Sequence, residues 1–254
     1  RLSKSNMQIS RPIVIWLVFL TISLISIYGC RKARKGMDLV LAYSQSDVDT
    51  CVYDFPEKQI IIVRALDGAK AEGILYGKSL IGTKWTLSFD TIPCTFGKAG
   101  LAAKDMKVEG DMKSPSGIYQ LGPVFGYKQD VFSFLKFIEL KNNHFWIDDD
   151  HSPDYNLLVN YRPKGFSAER MKRADHLYEY GIVIQYNSNP VVKGKGSAIF
   201  IHVQRDDKAP TAGCIAISKA GIKNLIEWFQ TDSAFILIGM EEDSIYSNVL
   251  KVNR

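Results

Sequence analysis

The stretch Ser197-Ala-Ile-Phe-Ile-His202-Val-Gln-Arg-Asp-Asp-Lys-Ala-Pro-Thr211-Ala-Gly213-Cys214-Ile-Ala-Ile-Ser218 reads as two strand segments on either side of a short polar loop. Side chains alternate faces along a strand, so Ile199, Ile201 and Val203 share one face and His202 falls on the other with Ala198, Phe200 and Gln204. The second segment does the same, with Ile215 and Ile217 on one face and Cys214, Ala216 and Ser218 on the other. If the segments pair as neighbours over one core, His202 and Cys214 project from the same side of the sheet. A cysteine becomes a nucleophile when a base removes its proton and a positive charge stabilises the thiolate, and a histidine supplies both. This reading predicts Cys214 as nucleophile and His202 as base, with the thiol titrating below the usual value of about 8.5. Gly213 lets a substrate approach the backbone, where its N–H and that of Cys214 would receive an oxyanion. The plain alternative is a buried apolar cysteine beside a satisfied core histidine.

Working outward, Gln59–Arg64, Gly73–Tyr76, Lys84–Phe89, Gly117–Leu121, Phe137–Leu140, Gly181–Tyr186, Ile199–Val203, Ile215–Ser218 and Phe235–Ile238 are strand candidates. Gly, Pro, Asn and Asp clusters separate them. The pattern predicts a mainly β fold, an antiparallel sandwich or open barrel. One packed helix is expected where Ile222, Leu225, Ile226 and Phe229 recur at i, i+3, i+4 and i+7 behind a capping Ser218.

The N-terminal part has a different character. From Ile13 to Tyr28 the chain is apolar, small or hydroxylic, preceded by Arg11 and followed by Gly29-Cys30. This predicts a signal peptide over residues 1–30 with Met7 as candidate start and a lipoprotein-type cleavage site, Cys30 being lipidated. As a helix the run spans about 24 Å against a hydrocarbon core of roughly 30 Å. The positive run Arg31 to Lys35 resists translocation, so an uncleaved anchor and a simple secreted form stay open. Residues 31–56 read as a tether, 57–240 as the domain and 241–254 as a tail.

Net charge is +5 from 32 basic and 27 acidic residues, but residues 1–36 hold seven of the basic residues and no acid. The remaining 25 basic and 27 acidic residues give a body near −2, which offers no footprint for a phosphate backbone, so no nucleic-acid partner is expected. Of the four cysteines, Cys51 and Cys94 are left over; they either pair or stay free, with Cys94 in a strand-like run. His144, Asp148, Asp149, Asp150, His151 and Asp154 lack a recognised ligand spacing and read as a solvated loop, so no metal is assigned. Gly194-Lys195-Gly196 reads as a hairpin turn, and no cofactor motif is assigned. Trp85, Trp146, Tyr155 and Tyr161 read as core or rim.

The residues around Cys214 resemble the L,D-transpeptidase catalytic-domain family of bacterial cell-wall enzymes. Its signature is a histidine followed, after a loop, by Ser/Thr-His-Gly-Cys. His202 falls on the catalytic histidine, Thr211 on the Ser/Thr, Gly213 on the glycine and Cys214 on the nucleophile. Lys113-Ser114-Pro115-Ser116-Gly117-Ile118-Tyr119 resembles the family's upstream Thr-Pro-x-Gly-x-Tyr/Phe, with Ser114 in the threonine's place. The resemblance covers roughly Gln59 to Gly239 and is nearest to a divergent branch reading Pro-Thr-Ala-Gly-Cys, as Pro210 to Cys214 do. Ala212 replaces the histidine before the glycine, and Ala216 replaces an Arg or Asn two residues after the cysteine. The resemblance implies acyl transfer through a Cys214 thioester on peptidoglycan stem peptides, with loss of a terminal D-alanine. An amine acceptor gives a cross-link and water gives carboxypeptidase activity. It also implies that a backbone carbonyl, here Val203, orients His202, and that Thr211 contributes to substrate binding. Arg205 in the loop either binds a stem carboxylate or is a solvated charge. Taken with the leader, the expected location is the bacterial envelope, on the periplasmic side and membrane-anchored. A non-catalytic wall-binding lipoprotein of the same fold is the other class of function.

Overall fold

The computed structural model describes residues 59–81 and 84–239. The signal peptide, Cys30, the tether with Cys51, and the C-terminal tail lie outside the described residues. Within them the nine expected strand segments all fall on strands, together with shorter ones. In chain order these are β1 (Gln59–Ala65), β2 (Glu72–Ile81), β3 (Lys84–Leu87), β4 (Ile92–Thr95), β5 (Leu101–Ala102), β6 (Ser114–Pro115), β7 (Gly117–Gly126) and β8 (Phe137–Glu139). There follow β9 (Phe145–Ile147), β10 (Leu158–Val159), β11 (Ala168–Arg170), β12 (Tyr180–Ile184), β13 (Phe200–Val203), β14 (Ile215–Ile217), the helix α1 (Lys219–Trp228) and β15 (Phe235–Gly239).

The main sheet runs β1-β15-β7-β12-β13-β14-β4-β2, and β2 pairs back onto β1, so these strands form a closed ring. Closure leaves no open edge along the ring, which is how a β fold protects its ladder groups. β3 extends from β2, and β8 from β7. Most pairs are antiparallel, as the short spacings imply, but β1/β15, β7/β8 and β13/β14 are parallel. A parallel pair needs a connection that returns along the strand direction. Residues 204–214 make that return between β13 and β14, which is why the His-to-Cys loop is long and irregular.

Alternation sorts the side chains into two cores. Ile199, Ile201, Ile215 and Ile217 join Ile61, Leu75, Val124, Ile182 and Ile236 in the larger cluster. α1 adds Ile222, Leu225 and Ile226 to it, and Phe229 follows at the end of the helix. Ser218 caps that helix, its Oγ accepting from Gly221 N at 3.0 Å. Each fully buried isoleucine contributes about 2 kcal/mol of transfer free energy, so this face fixes the register of β13 and β14. Phe200 and Cys214 lie in a second cluster on the opposite face, with Phe125, Met171, Tyr178 and Val183. The chemistry-bearing face is therefore held rigid by apolar packing beneath and around it. Cys94 is a free, buried thiol on β4 in the larger core. Among the described residues no helix is long and apolar enough to cross a membrane.

Candidate active site

The register Ile201↔Ile215, His202↔Ala216 and Val203↔Ile217 puts His202 and Cys214 on one face of adjacent strands. Both line a cavity of ≈ 350 Å³, and both are buried. The histidine is oriented by its own strand: Nδ1 lies 2.8 Å from Val203 O. A carbonyl only accepts, so Nδ1 carries the proton and Nε2 keeps a lone pair. Tyr178 meets the imidazole edge-on, ring centroids 5.3 Å apart, and the Arg173 guanidinium lies over the Tyr178 ring, 5.2 Å from its centroid.

The thiol is not hydrogen-bonded to His202. Sγ donates to Ala198 O at 3.2 Å and accepts from Phe200 N at 3.4 Å. Burial pushes the Cys214 thiol up to about 12, reinforced by the Glu169 carboxylate and opposed by Lys107 and Arg173. Burial likewise pulls His202 down to about 4. This runs against the expectation of a thiol depressed below about 8.5, because desolvation is the largest influence on each group and penalises both charged forms. The resting pair is neutral thiol and neutral imidazole.

The turn around the cysteine is built by hydroxyls. Thr211 Oγ1 donates to Cys214 O at 2.7 Å and accepts from Gly213 N at 3.1 Å. Thr211 thus latches the turn while also lining the cavity, and the Gly213 N–H is already engaged by its hydroxyl. Gly213 has φ +154°, a conformation that suits a residue without a side chain. The loop is stitched to the segment after β4 by Thr211 N to Phe96 O and Lys98 N to Thr211 O, both 2.9 Å.

Ser114 clamps the turn from beneath. Fully buried, its Oγ accepts from Gly97 N at 3.0 Å and donates to Gly213 O at 2.6 Å, with Cys214 O at 3.2 Å. Ser114→Ala leaves a buried N–H and carbonyl without this partner, and is expected to cost about 2 kcal/mol in urea unfolding, whereas Ser114→Thr should restore most of it. An unchanged midpoint for the alanine variant would show that the clamp contributes nothing.

Arg205 is at the cavity mouth, its side chain 67% exposed and 4.0 Å from Asp175. The wall also carries residues that strand periodicity did not single out. Lys107, Glu109 and Glu169 line the cavity, with Arg173 and Tyr178 beside them. Asp148 departs from the solvated-loop reading: it lines the cavity, its Oδ1 is buried and meets no hydrogen-bond partner among the described residues, and burial raises its carboxyl. Asp149, Asp150 and His151 bring ligand atoms within 4.8 Å of one another, but the His151 side chain is 88% exposed and meets the two carboxylates in ordinary surface contacts at 3.2 and 3.0 Å. Trp146 and Tyr155 are supports. The first packs on Phe200 at 4.8 Å, and the second receives Gly196 N at 3.1 Å and donates to Glu109.

The YkuD family model, the L,D-transpeptidase catalytic domain, matches residues 83–238. The chain belongs to this family. Its fold is accordingly the mainly β fold of L,D-transpeptidase catalytic domains. No curated protein matches the chain. Among solved structures it is similar to the helical cell shape determining protein Pgp2 from Campylobacter jejuni. One Pgp2 structure, of a point mutant, has 17% identity and a TM-score of 0.42, covering 73% of this chain and 48% of that one. The other has 18% identity and a TM-score of 0.39, covering 73% and 49%. The chain thus spans about half the length of these structures. Within the L,D-transpeptidase framework Ala212 and Ala216 both line the cavity without adding any charge to it.

Proposed function

We propose that this domain is a cysteine acyltransferase acting on peptidoglycan stem peptides at the periplasmic side of a bacterial envelope, anchored there through Cys30 or the leader. The observation that carries the reading is the Nδ1 contact to Val203 O, which leaves Nε2 of His202 basic in the same cavity as Cys214. In the reaction Sγ leaves the Ala198 carbonyl and its proton passes to Nε2. The sulfur then attacks the stem carbonyl, and Cys214 N–H receives the oxyanion. The intermediate collapses with rupture of the C–N bond, and the departing D-alanine amine takes the proton from His202. A thioester remains, which an amine resolves to a cross-link or water to a free carboxylate; the L,D-carboxypeptidase reading differs from transfer in that step alone.

One observation favours a non-catalytic wall-binding domain: the resting thiol is protonated and tied to Ala198 O. Substrate entry answers it, since proton transfer within the pair creates the thiolate only when a carbonyl is there to consume it. The test incubates the whole chain with a tetrapeptide stem ending in D-alanine, reading released D-alanine, tripeptide against dimer, and the intact mass for a Cys214 adduct. D-alanine release with an adduct is the expected result. Neither release nor adduct would leave the binding domain as the correct reading.

A further inference from the structure

The loop from Lys107 to Ser114 wraps the nucleophile turn, and its first residue is placed in an unusual way for a lysine. Lys107 is 4% exposed, yet it lines the catalytic cavity beside Gly213 and Cys214 and stays out of both apolar cores. Its Nζ is 2.8 Å from Asp111 Oδ1. Asp111 is itself fixed, accepting from Val108 N at 3.0 Å and Lys113 N at 2.9 Å. An ammonium has three N–H donors, and among the described residues Asp111 is the acceptor that meets it.

Two glycines make this placement possible. A Cβ on Gly196 would lie 2.8 Å from Lys107 Cε, so a side chain there would obstruct the lysine stem. A Cβ on Gly213 would lie 3.7 Å from Nζ, which sets the ammonium against the backbone that precedes the nucleophile. A buried ammonium with N–H donors left over favours an anion beside it. Acyl transfer generates an anion there twice, as the thiolate and then as the tetrahedral oxyanion. Of the two backbone donors expected at the turn, the Gly213 N–H is already held by Thr211 Oγ1, and Ala216 brings no charge to the cavity.

Resting on the acyltransfer reading, we propose that Lys107 is a catalytic residue whose ammonium stabilises the Cys214 thiolate and then, together with Cys214 N–H, the oxyanion. The charged and titratable groups acting on Cys214 are consistent with this. Glu169 and Tyr178 face it with Arg173, and that guanidinium is bonded through Nε and Nη2 to Asp175 at 2.8 and 2.6 Å. Lys107 reaches the turn from the opposite loop.

The test uses the whole chain with Lys107→Met, and with Lys107→Met/Asp111→Leu so that no buried carboxylate is left unpaired. Iodoacetamide labelling of Cys214, resolved from the other cysteines by peptide mass, is followed against pH, and kcat and KM are measured on the tetrapeptide stem. Labelling of buried Cys94 reports whether each variant keeps its fold. The expected result is a fall of about ten-fold or more in Cys214 labelling at mildly alkaline pH. A fall of about 100-fold in kcat should accompany it, with KM within about two-fold of wild type. Folded variants that match wild type in both labelling and kcat overturn the proposal, as does a change confined to KM, which would make Lys107 a binder of a substrate carboxylate. If the wild-type chain is inert toward the stem, the substrate reading fails, and the labelling comparison by itself decides whether Lys107 supports the thiolate.

Discussion

Cys214→Ala and His202→Ala are each expected to lower stem-peptide turnover by about 1,000-fold or more, and the double variant to lose little beyond either single one. The non-additivity is the informative part. In the proposed mechanism Sγ and Nε2 carry out one proton transfer between them, so removing either leaves the other without a function. Both side chains sit off the apolar face, so the alanine variants alter the chemistry while the Ile201–Ile215 and Val203–Ile217 pairs of β13 and β14 keep the fold. Rates from D-alanine release, with circular dichroism as a control, check this. Independent losses that multiply, or wild-type turnover in folded Cys214→Ala, would remove the dyad from the mechanism.

The second large effect is on stability in acid. His202 is held down to about 4 from 6.5 by burial. Between those values the unfolded chain takes up a proton that the folded chain refuses, so stability falls as pH drops through that window and levels off below it. At about 1.36 kcal/mol per unit the window amounts to roughly 3 kcal/mol. Urea unfolding of wild type and His202→Gln at pH ~7 and ~4 isolates this part, because every other titrating group is common to both. Wild type should lose about 3 kcal/mol more than the variant on acidification. Equal losses would mean that the folded imidazole accepts its proton as readily as the unfolded one. On the alkaline side the sign reverses: Cys214 is raised to about 12 from 9.0, so stability is lost as pH climbs between those values.

Strand positions were legible in the sequence because the barrel core is written in alternation. Ile199, Ile201, Ile215 and Ile217 are apolar at every second place, and that alone puts His202 and Cys214 on the outer face. Ser218 and the Ile222-Leu225-Ile226-Phe229 spacing marked the helix for the same reason. Parallel pairing of β1 with β15 was not legible, since it joins segments far apart in the chain and nothing local encodes the partner. The electrostatics of the site were hidden as well. A Cys and a His side by side suggest a lowered thiol pKa only if water is present, and the extent of burial is a property of the packed loops. Lys107 and Asp148 stood in segments without period, so no pattern separated them from solvated charges. The Lys113-to-Tyr119 motif did point to Ser114, and the clamp on Gly213 O is its physical content.

The ring is completed by β15, which lies between β1 and β7 and is the last of its strands in the chain. During synthesis the histidine, the cysteine and the helix all leave the ribosome before Phe235–Gly239 does. Until that strand arrives, β1 and the Gly117–Gln120 part of β7 present bare ladder edges that any extended chain nearby is able to join. A polypeptide interrupted before Phe235 carries both edges permanently, and with them the exposed apolar lining of an unclosed barrel. Such fragments expose the surfaces that chaperones and proteases act on, so a premature stop late in the coding sequence is expected to remove the whole domain rather than its final strand.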